Sequence, residues 1–145
     1  MSPPARPPER LRRIRRAIFD ALPVVVAVRL ALWLLPFPAT RRYVASIRPR
    51  SISVAGDPAT VSNLVRAVRA SSRLVPHATC LTQAIALHYL LARRGRQGRI
   101  HIGVRRRASG GFESHAWVEL DGEVVIGGED LASFVPLIEL QEESR

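Results

Sequence analysis

The chain has 145 residues, of which 47% are hydrophobic, and a net charge of +10; this length suits one globular domain with an apolar core rather than two domains. Its single cysteine excludes an internal disulfide and every metal site built from several cysteines. All 22 basic residues are arginines, but zinc-ligand spacing, an aromatic platform and a helix-turn-helix pattern are all missing, so nucleic acid is not an expected partner.

The N-terminal third contains two stretches of different composition. Residues 1–16 are a basic arm rich in proline and arginine, of which about the first eight are expected to be disordered. Residues 9–22 could begin a helix with a basic face. Residues 17–56 begin with a strongly apolar run that continues to Pro38. We predict a helical segment here that packs either on the core or on a partner protein, and we assign residues 57–145 to the main domain.

The apolar run also raises the question of a membrane. Asp20, Pro23 and Arg29 interrupt it, and no uncharged stretch reaches the roughly 18 residues that a spanning helix needs. The alternative to protein packing is therefore peripheral contact of residues 10–38 with a membrane surface, because their arginines would face anionic lipid.

Two helices are predicted next. Asp57 and the proline after it are typical of a helix start, and apolar residues then recur at helical spacing as far as Arg73. A second helix is predicted from about residue 79 to residue 94, with Cys80 in its first turn. Gly95 follows two arginines, which is a common helix stop.

Beyond this helix the period of the apolar residues changes from 3.6 to 2, which indicates strands. Residues 99–105 and 114–120 are predicted strands, and Asp121-Gly122 is a two-residue hairpin turn that leads to a returning strand over residues 123–126. A short apolar segment follows at residues 134–138. Helices followed by antiparallel strands define an α+β fold.

Cys80 is the first candidate for chemistry. A helix N-terminus favours the negative charge of a thiolate, and its free backbone N–H groups can hold an oxyanion. His115 begins a predicted strand, where it could serve as the base for such a thiolate. The alternatives are a small buried side chain for the cysteine and a polar residue at a strand end for the histidine.

A third group is needed to orient the imidazole ring. If Asp121 starts the hairpin turn, His115 lies opposite Gly128, and Asp130 becomes its diagonal neighbour on the same face. Glu129 would point to the other face unless a bulge shifts the register, so it is the reserve. Asp121 itself would lie about 20 Å from the imidazole at the usual strand rise, and we interpret it as a turn residue.

Other residues near this pair are assigned by position. Trp117 alternates with His115 and should share its face, where it could shield the site or bind substrate; core packing is the alternative. His77 lies shortly before the cysteine and could line the substrate site or serve only in a loop. His88 and His101 are interpreted as a core or interface histidine and a sheet histidine.

Several segments in this order resemble the lasso-peptide leader peptidases. They are Cys80 opening a helix that ends in Arg-Arg-Gly, a strand Ile-Gly-Val-Arg, the segment Ser-His-Ala-Trp-Val-Glu-Leu-Asp-Gly, and the later Phe-Val-Pro-Leu. The resemblance covers about residues 75–138 and is most specific from His115 to Gly122. It implies a transglutaminase-like, papain-like core with the nucleophilic cysteine at a helix N-terminus packed on an antiparallel sheet.

The resemblance also implies an activity. It is that of a cysteine peptidase with a Cys–His–Asp triad that removes the leader from a ribosomally made precursor through a thioester, without a metal or other cofactor. Cys80 and His115 match the family pattern, whereas relatives place the aspartate about twelve residues after the histidine, where this chain has Gly127. An amide-forming acyltransferase with the same residues and a non-catalytic leader-binding scaffold are the rival functions.

Partners and location follow from the same resemblance. A small separate recognition protein would hold the leader of the precursor peptide, and a separate cyclase would then form the ring. The protein would be cytoplasmic and bacterial, with membrane association as the alternative.

Overall fold

The computed structural model describes residues 7–51 and 58–140, in which four helices precede a four-stranded antiparallel sheet. The helices are α1 (Pro7–Leu34), α2 (Phe37–Ser46), α3 (Pro58–Leu74) and α4 (Cys80–Arg93). The strands are β1 (Arg99–Arg106), β2 (Phe112–Leu120), β3 (Glu123–Ile126) and β4 (Val135–Glu139), in the order β3-β2-β1-β4. A 3-10 turn (Leu131–Ser133) precedes β4. The predicted succession of helices and antiparallel strands is confirmed.

The first helix crosses the boundary that composition suggested between residues 16 and 17. α1 is continuous from Pro7, so the part of the basic arm that the structure describes is helical. Pro23 lies inside this helix at an exposed position, and its missing N–H removes the usual helical hydrogen bond to the carbonyl group of Phe19, four residues earlier. Pro7 and Pro8 belong to the stretch that was expected to be disordered but are helical. Residues 1–6, the rest of that stretch, and Asp57, the predicted helix cap, lie outside the described residues.

One hydrophobic core joins all four helices to one face of the sheet. Its members include Ala21, Val25 and Val44 as well as Leu64, Leu87 and Val118. The segment predicted at residues 17–56 and the main domain predicted at residues 57–145 therefore contribute to the same core. The physical reason lies in α4, whose residues from Ala84 to Ala92 are buried almost without interruption. A helix buried on every side needs α1 and α3 as well as the sheet to cover it.

The side of α1 that faces away from this core carries large exposed apolar residues. Phe19, Leu30 and Trp33 are all exposed, Trp33 by 72%. The stretch Glu9–Leu34 is long and apolar enough to cross a membrane. Core helices and N-terminal signal sequences share this property, so length and composition alone do not assign α1 to a membrane.

Local turn signals in the sequence are confirmed by the backbone. Gly95 ends α4 with a φ of 74°, in the left-handed region that favours glycine. Asp121 and Gly122 have φ values of 51° and 83°, as a two-residue turn between paired strands requires. The guanidinium group of Arg96 binds the carboxylate of Asp121. The turn between β2, which carries His115, and β3 therefore lies at Asp121-Gly122, as predicted.

The short apolar segment at residues 134–138 forms most of an edge strand. β4 pairs antiparallel with β1, with a register shift between Ile102 and Gly103. Pro136 has no N–H to donate, and a strand that contains proline is tolerated at a sheet edge. This strand brings the end of the described chain back beside the strand that carries Arg105.

His88 gives the fold a dependence on pH. It is 1% exposed within α4 and forms hydrogen bonds with the backbone of Gly98 and Val44. Burial lowers the pKa of His88 below its ordinary value of 6.5, against the opposing effect of these bonds. The unfolded chain therefore takes up this proton at a higher pH than the folded chain does. The free energy of unfolding is expected to be unaffected by His88 above pH 6.5 and to fall as the pH drops below it.

Urea unfolding followed by circular dichroism between about pH 7.5 and pH 5 measures this effect, which for one proton cannot exceed about 1.4 kcal/mol per pH unit. His88→Gln retains hydrogen-bonding capacity but cannot be protonated in this range. The variant should therefore show a flatter dependence than the wild type. Equal slopes in the two proteins would mean that His88 is not the titrating group.

Candidate active site

Cys80 is the first residue of α4 and is half-buried. The start of the helix is fixed by a reciprocal pair of hydrogen bonds. The Thr79 hydroxyl accepts from the N–H of Thr82 at 3.4 Å, and the Thr82 hydroxyl accepts from the N–H of Thr79 at 3.3 Å. This capping box orders the first turn. The thiol thus stands at a rigid helix N-terminus, an environment that favours negative charge.

His115 is held by one hydrogen bond and two aromatic rings. Its Nε2 lies 2.7 Å from the carbonyl oxygen of Gly127. A carbonyl oxygen only accepts hydrogen bonds, so Nε2 carries a proton and Nδ1 is left as the nitrogen that can accept one. The rings of Trp117 and Phe134 flank the imidazole at centroid distances of 6.3 and 5.0 Å. The tautomer and the plane of the ring are therefore fixed without a carboxylate.

Asp130, predicted as the third member of a triad, does not bind His115. It precedes the 3-10 turn with a left-handed φ of 59° and is exposed. Its carboxylate accepts a hydrogen bond from Nη1 of Arg105 at 2.6 Å. Asp130, which the sequence placed beside the imidazole, instead binds Arg105 on β1, the strand on the other side of β2.

A register shift explains the misplacement. Continuing the pairing from the hairpin turn would set Val118 opposite Val125, but Val118 pairs with Ile126. The extra residue of this bulge is Val125, which lies between the partners of Glu119 and Val118. β3 ends at Ile126, and Gly127 then turns the chain with a φ of 76°. Its carbonyl group, rather than a later side chain, arrives at His115.

Two cavities meet at the cysteine. The first has a volume of about 480 Å³, and we call it the basic cavity; its lining includes Arg69, Ser72, Arg73, Gln83, Gly127 and Glu129. The second has a volume of about 220 Å³, and we call it the apolar cavity; its lining includes Phe37, Leu81, Ile102, Leu137 and Ile138. Cys80, His115 and Ala116 line both. Within the described chain no hydrogen bond joins Cys80 to His115, so they share these cavities without being locked together.

Glu129, the reserve acid, lines the basic cavity together with Cys80 and His115. Its carboxylate accepts a hydrogen bond from Nη2 of Arg69 at 3.0 Å. Glu129 therefore contributes charge to the cavity, and among the described residues no hydrogen bond joins it to the imidazole.

The two residues assigned to substrate binding lie elsewhere. Trp117 shares the face of His115, as predicted, but is only 7% exposed and also stacks on His101 at 5.6 Å. Its indole ring stacks on the imidazole of His115. His77 is an exposed turn residue with a φ of 60° and is not part of the lining of either cavity. Neither side chain is placed to touch a substrate in these cavities.

The sequence did not point to the polar residues of the basic cavity. Arg69 and Arg73 are four residues apart and so share one face of α3, and Gln83 lies one turn after Cys80. The sequence shows that these two arginines share a helix face. It does not show that this face lies beside Cys80, because that depends on the packing of α3 against α4.

Arg105 ties the segment after β3 to the sheet. Its Nε donates to Glu113 at 2.9 Å, its Nη1 donates to Asp130, and its guanidinium lies 4.6 Å from the ring centre of Phe134. The hydrogen bonds to Glu113 and Asp130 raise the pKa of Arg105. Because Phe134 touches His115, Asp130 acts on the imidazole only indirectly, by holding the segment that carries Phe134.

Comparison with known proteins identifies the family. A profile of the transglutaminase-like superfamily matches residues 22–139. No curated protein and no solved structure is significantly similar to the chain. The matched region begins inside α1 and ends in β4. A match over this much of the chain shows that the protein belongs to the transglutaminase-like superfamily, whose members are commonly cysteine hydrolases or acyltransferases.

Proposed function

We propose that this protein is a cysteine peptidase that removes the leader peptide from a lasso-peptide precursor. The observation that carries the proposal is the position of Cys80 and His115, which line the same two cavities while Nε2 of His115 is bound to a carbonyl oxygen. The superfamily supports thioester chemistry at such a pair. The resemblance of the segment around His115 to lasso-peptide leader peptidases supports the choice of substrate.

Acylation is the first half of the proposed reaction. Nδ1 of His115 takes the proton of the Cys80 thiol, and Sγ attacks the scissile carbonyl carbon. The carbonyl oxygen becomes an oxyanion that the N–H groups at the start of α4 can stabilise. The C–N bond then breaks, and the imidazolium gives its proton to the leaving amine, which becomes the N-terminus of the core peptide.

Hydrolysis of the thioester completes the cycle. Nδ1 of His115 takes a proton from water, whose oxygen attacks the acyl carbon. The C–S bond breaks, Sγ leaves as a thiolate that takes the proton back from Nδ1 of the imidazolium, and the leader departs as a carboxylic acid that ionises to a free carboxylate. One water is consumed, Cys80 and His115 are regenerated, and the steps require no cofactor. Because the two side chains are not hydrogen-bonded to each other before substrate binds, we expect their contact to form in the substrate complex.

The Gly127 carbonyl takes the orienting role that a carboxylate has in a Cys–His–Asp triad. It fixes the proton on Nε2 but offers a dipole instead of a full charge to the imidazolium. Glu129 can add negative charge from within the basic cavity while it stays paired with Arg69. Asp130 has no direct part in the proposed reaction.

An exposed apolar surface next to the site supports the proposed recognition partner. Trp33, Leu34 and Leu35 at the end of α1 are exposed, and so is Phe37, which also lines the apolar cavity. A protein bound to this surface would lie beside the cavity that receives the peptide. We assign this surface to the recognition protein that holds the leader. The cyclase and an anionic membrane are the alternative binding partners of this surface.

Mass spectrometry of a lasso precursor incubated with this protein and the recognition partner tests the function. The expected result is one cut at the leader–core junction that leaves a free carboxylate. Because Cys80 is the only cysteine, prior treatment with iodoacetamide alkylates that side chain selectively and should abolish the cut. A new amide in place of the carboxylate would identify an acyltransferase, and intact precursor bound to folded protein would identify a scaffold. Either result contradicts the peptidase proposal.

A further inference from the structure

We infer that the substrate carries an apolar side chain on one side of the scissile bond and an acidic side chain on the other. This inference rests on the proposed function, because it concerns the residues that flank the bond to be cut. Its basis is the position of Cys80 in the wall shared by two cavities of different chemistry.

The geometry of an extended peptide connects the two cavities. Successive residues in an extended chain rise by about 3.3 Å and point in opposite directions. When the scissile carbonyl lies over Cys80, the side chains just before and just after it therefore project to opposite sides. Cys80, His115 and Ala116 line both the basic cavity and the apolar cavity, so each cavity can take one of these side chains.

The apolar cavity suits one aliphatic or aromatic side chain. Of its lining residues, Phe37 is 45% and Leu137 is 59% exposed, and a substrate side chain would cover apolar surface that is now in water. Burying a large aliphatic side chain strengthens binding by about tenfold to a hundredfold. A charged side chain in the same place would lose its hydration without gaining a partner.

The basic cavity has a cation to offer a ligand. Arg69 is already paired with Glu129. Arg73 lines the same cavity in the last turn of α3, and among the described residues no carboxylate binds it. A carboxylate of the substrate can accept hydrogen bonds from this guanidinium and from the amide of Gln83, whereas a lysine would meet a like charge. The cavity therefore favours aspartate or glutamate.

Protection of Cys80 from iodoacetamide measures binding without requiring cleavage. The probes are short synthetic peptides whose central bond joins leucine or serine to aspartate or lysine, each made in both orientations. In one orientation the leucine–aspartate peptide should half-protect Cys80 at a concentration about tenfold lower than its serine counterpart needs. The concentration of this peptide that half-protects Cys80 should also be roughly three- to tenfold lower than that of its lysine counterpart.

Charge reversal provides the matched control. Arg73→Glu should reverse the preference for aspartate over lysine and leave the preference for leucine unchanged. Arg66→Glu makes the same change on the same helix, at an exposed position outside the lining of both cavities, and should leave both preferences as in the wild type. Equal protection by all peptides, no protection at millimolar concentration, or the same shift in both variants would overturn the inference.

This outcome can be separated from that of the proposed function. A protein that shows both preferences but cuts no precursor would keep the inference about the cavities and lose the peptidase proposal. A protein that cuts a precursor at Cys80 but shows neither preference would keep the peptidase proposal and lose the inference.

Discussion

Cys80→Ala is expected to lower kcat/KM for precursor cleavage by at least about 10⁴-fold while the protein stays folded. The proposed reaction depends on a covalent bond to Sγ, and no neighbouring side chain can replace it. The side chain is small and only half-buried, and alanine is well tolerated within a helix. Steady-state cleavage followed by mass spectrometry measures the loss, and thermal unfolding confirms the fold.

Two companion variants make the result specific to the proposed site. His115→Ala should cause a loss of similar size, and the double variant should be no worse than Cys80→Ala alone, because the two residues act as a unit. His77→Asn changes a residue close in sequence but outside the lining of both cavities, and asparagine tolerates its left-handed backbone. It should retain nearly full activity. More than a tenth of wild-type activity in Cys80→Ala would exclude Cys80 as the nucleophile.

The features that the sequence predicted correctly depend on short stretches of chain. The start of α4 at Cys80 follows from a threonine capping box, and its end follows from the left-handed Gly95. The hairpin at Asp121-Gly122 needs only the backbone preferences of two residues. Alternation along β2 places Trp117 on the same face as His115. Each of these features is decided within a few residues, so a local pattern is enough to find it.

The features that the sequence missed depend on contacts between elements. The extra residue at Val125 leaves no distinct pattern, yet it moves Asp130 away from His115. The basic cavity depends on which face of α3 lies near Cys80, which is set by packing on α1 and α4. A backbone carbonyl that replaces a carboxylate cannot be read from a list of side chains. The positions of Cys80 at a helix start and of His115 on a strand were therefore predictable, whereas the contact of the Gly127 carbonyl with the imidazole was not.

Gly127→Ala is expected to reduce kcat by about 10²- to 10³-fold with a smaller change in KM, because it displaces the group that orients the base. A Cβ at this position would lie 2.6 Å from the carbonyl oxygen of Ala116 and 3.0 Å from Cβ of Trp117. The φ of 76° is also unfavourable for alanine. The chain must shift, and the Gly127 carbonyl must then leave its position 2.7 Å from Nε2 of His115. Loss of the correct histidine tautomer in a serine–histidine–aspartate triad lowers kcat by about 10⁴-fold. The Gly127 carbonyl is neutral and interacts more weakly than a carboxylate, so we expect a smaller loss here.

Gly128→Ala is the matched control for this substitution. Its φ lies outside the left-handed region, and its Cβ would meet only the exposed side chain of Val124, with Cγ1 at 3.3 Å. It should keep kcat within a fewfold of wild type. Asp130→Asn weakens the contact with Arg105 but leaves the Gly127 carbonyl in place, so its loss should stay below about tenfold. Wild-type kcat in a folded Gly127→Ala variant, or a larger loss in Asp130→Asn, would show that the carbonyl does not orient His115.

The same contacts affect the aspartate that the lasso-peptide leader peptidases, which this chain resembles, place where it has Gly127. Gly127→Asp would carry the same Cβ toward the Ala116 carbonyl, so adding the carboxylate here cannot by itself rebuild a Cys–His–Asp triad. We expect it to lower kcat at least as much as Gly127→Ala does, in the same precursor-cleavage assay. A gain in activity would mean that the chain relaxes to admit the side chain, and that the carbonyl only substitutes for an acid that this site still accepts.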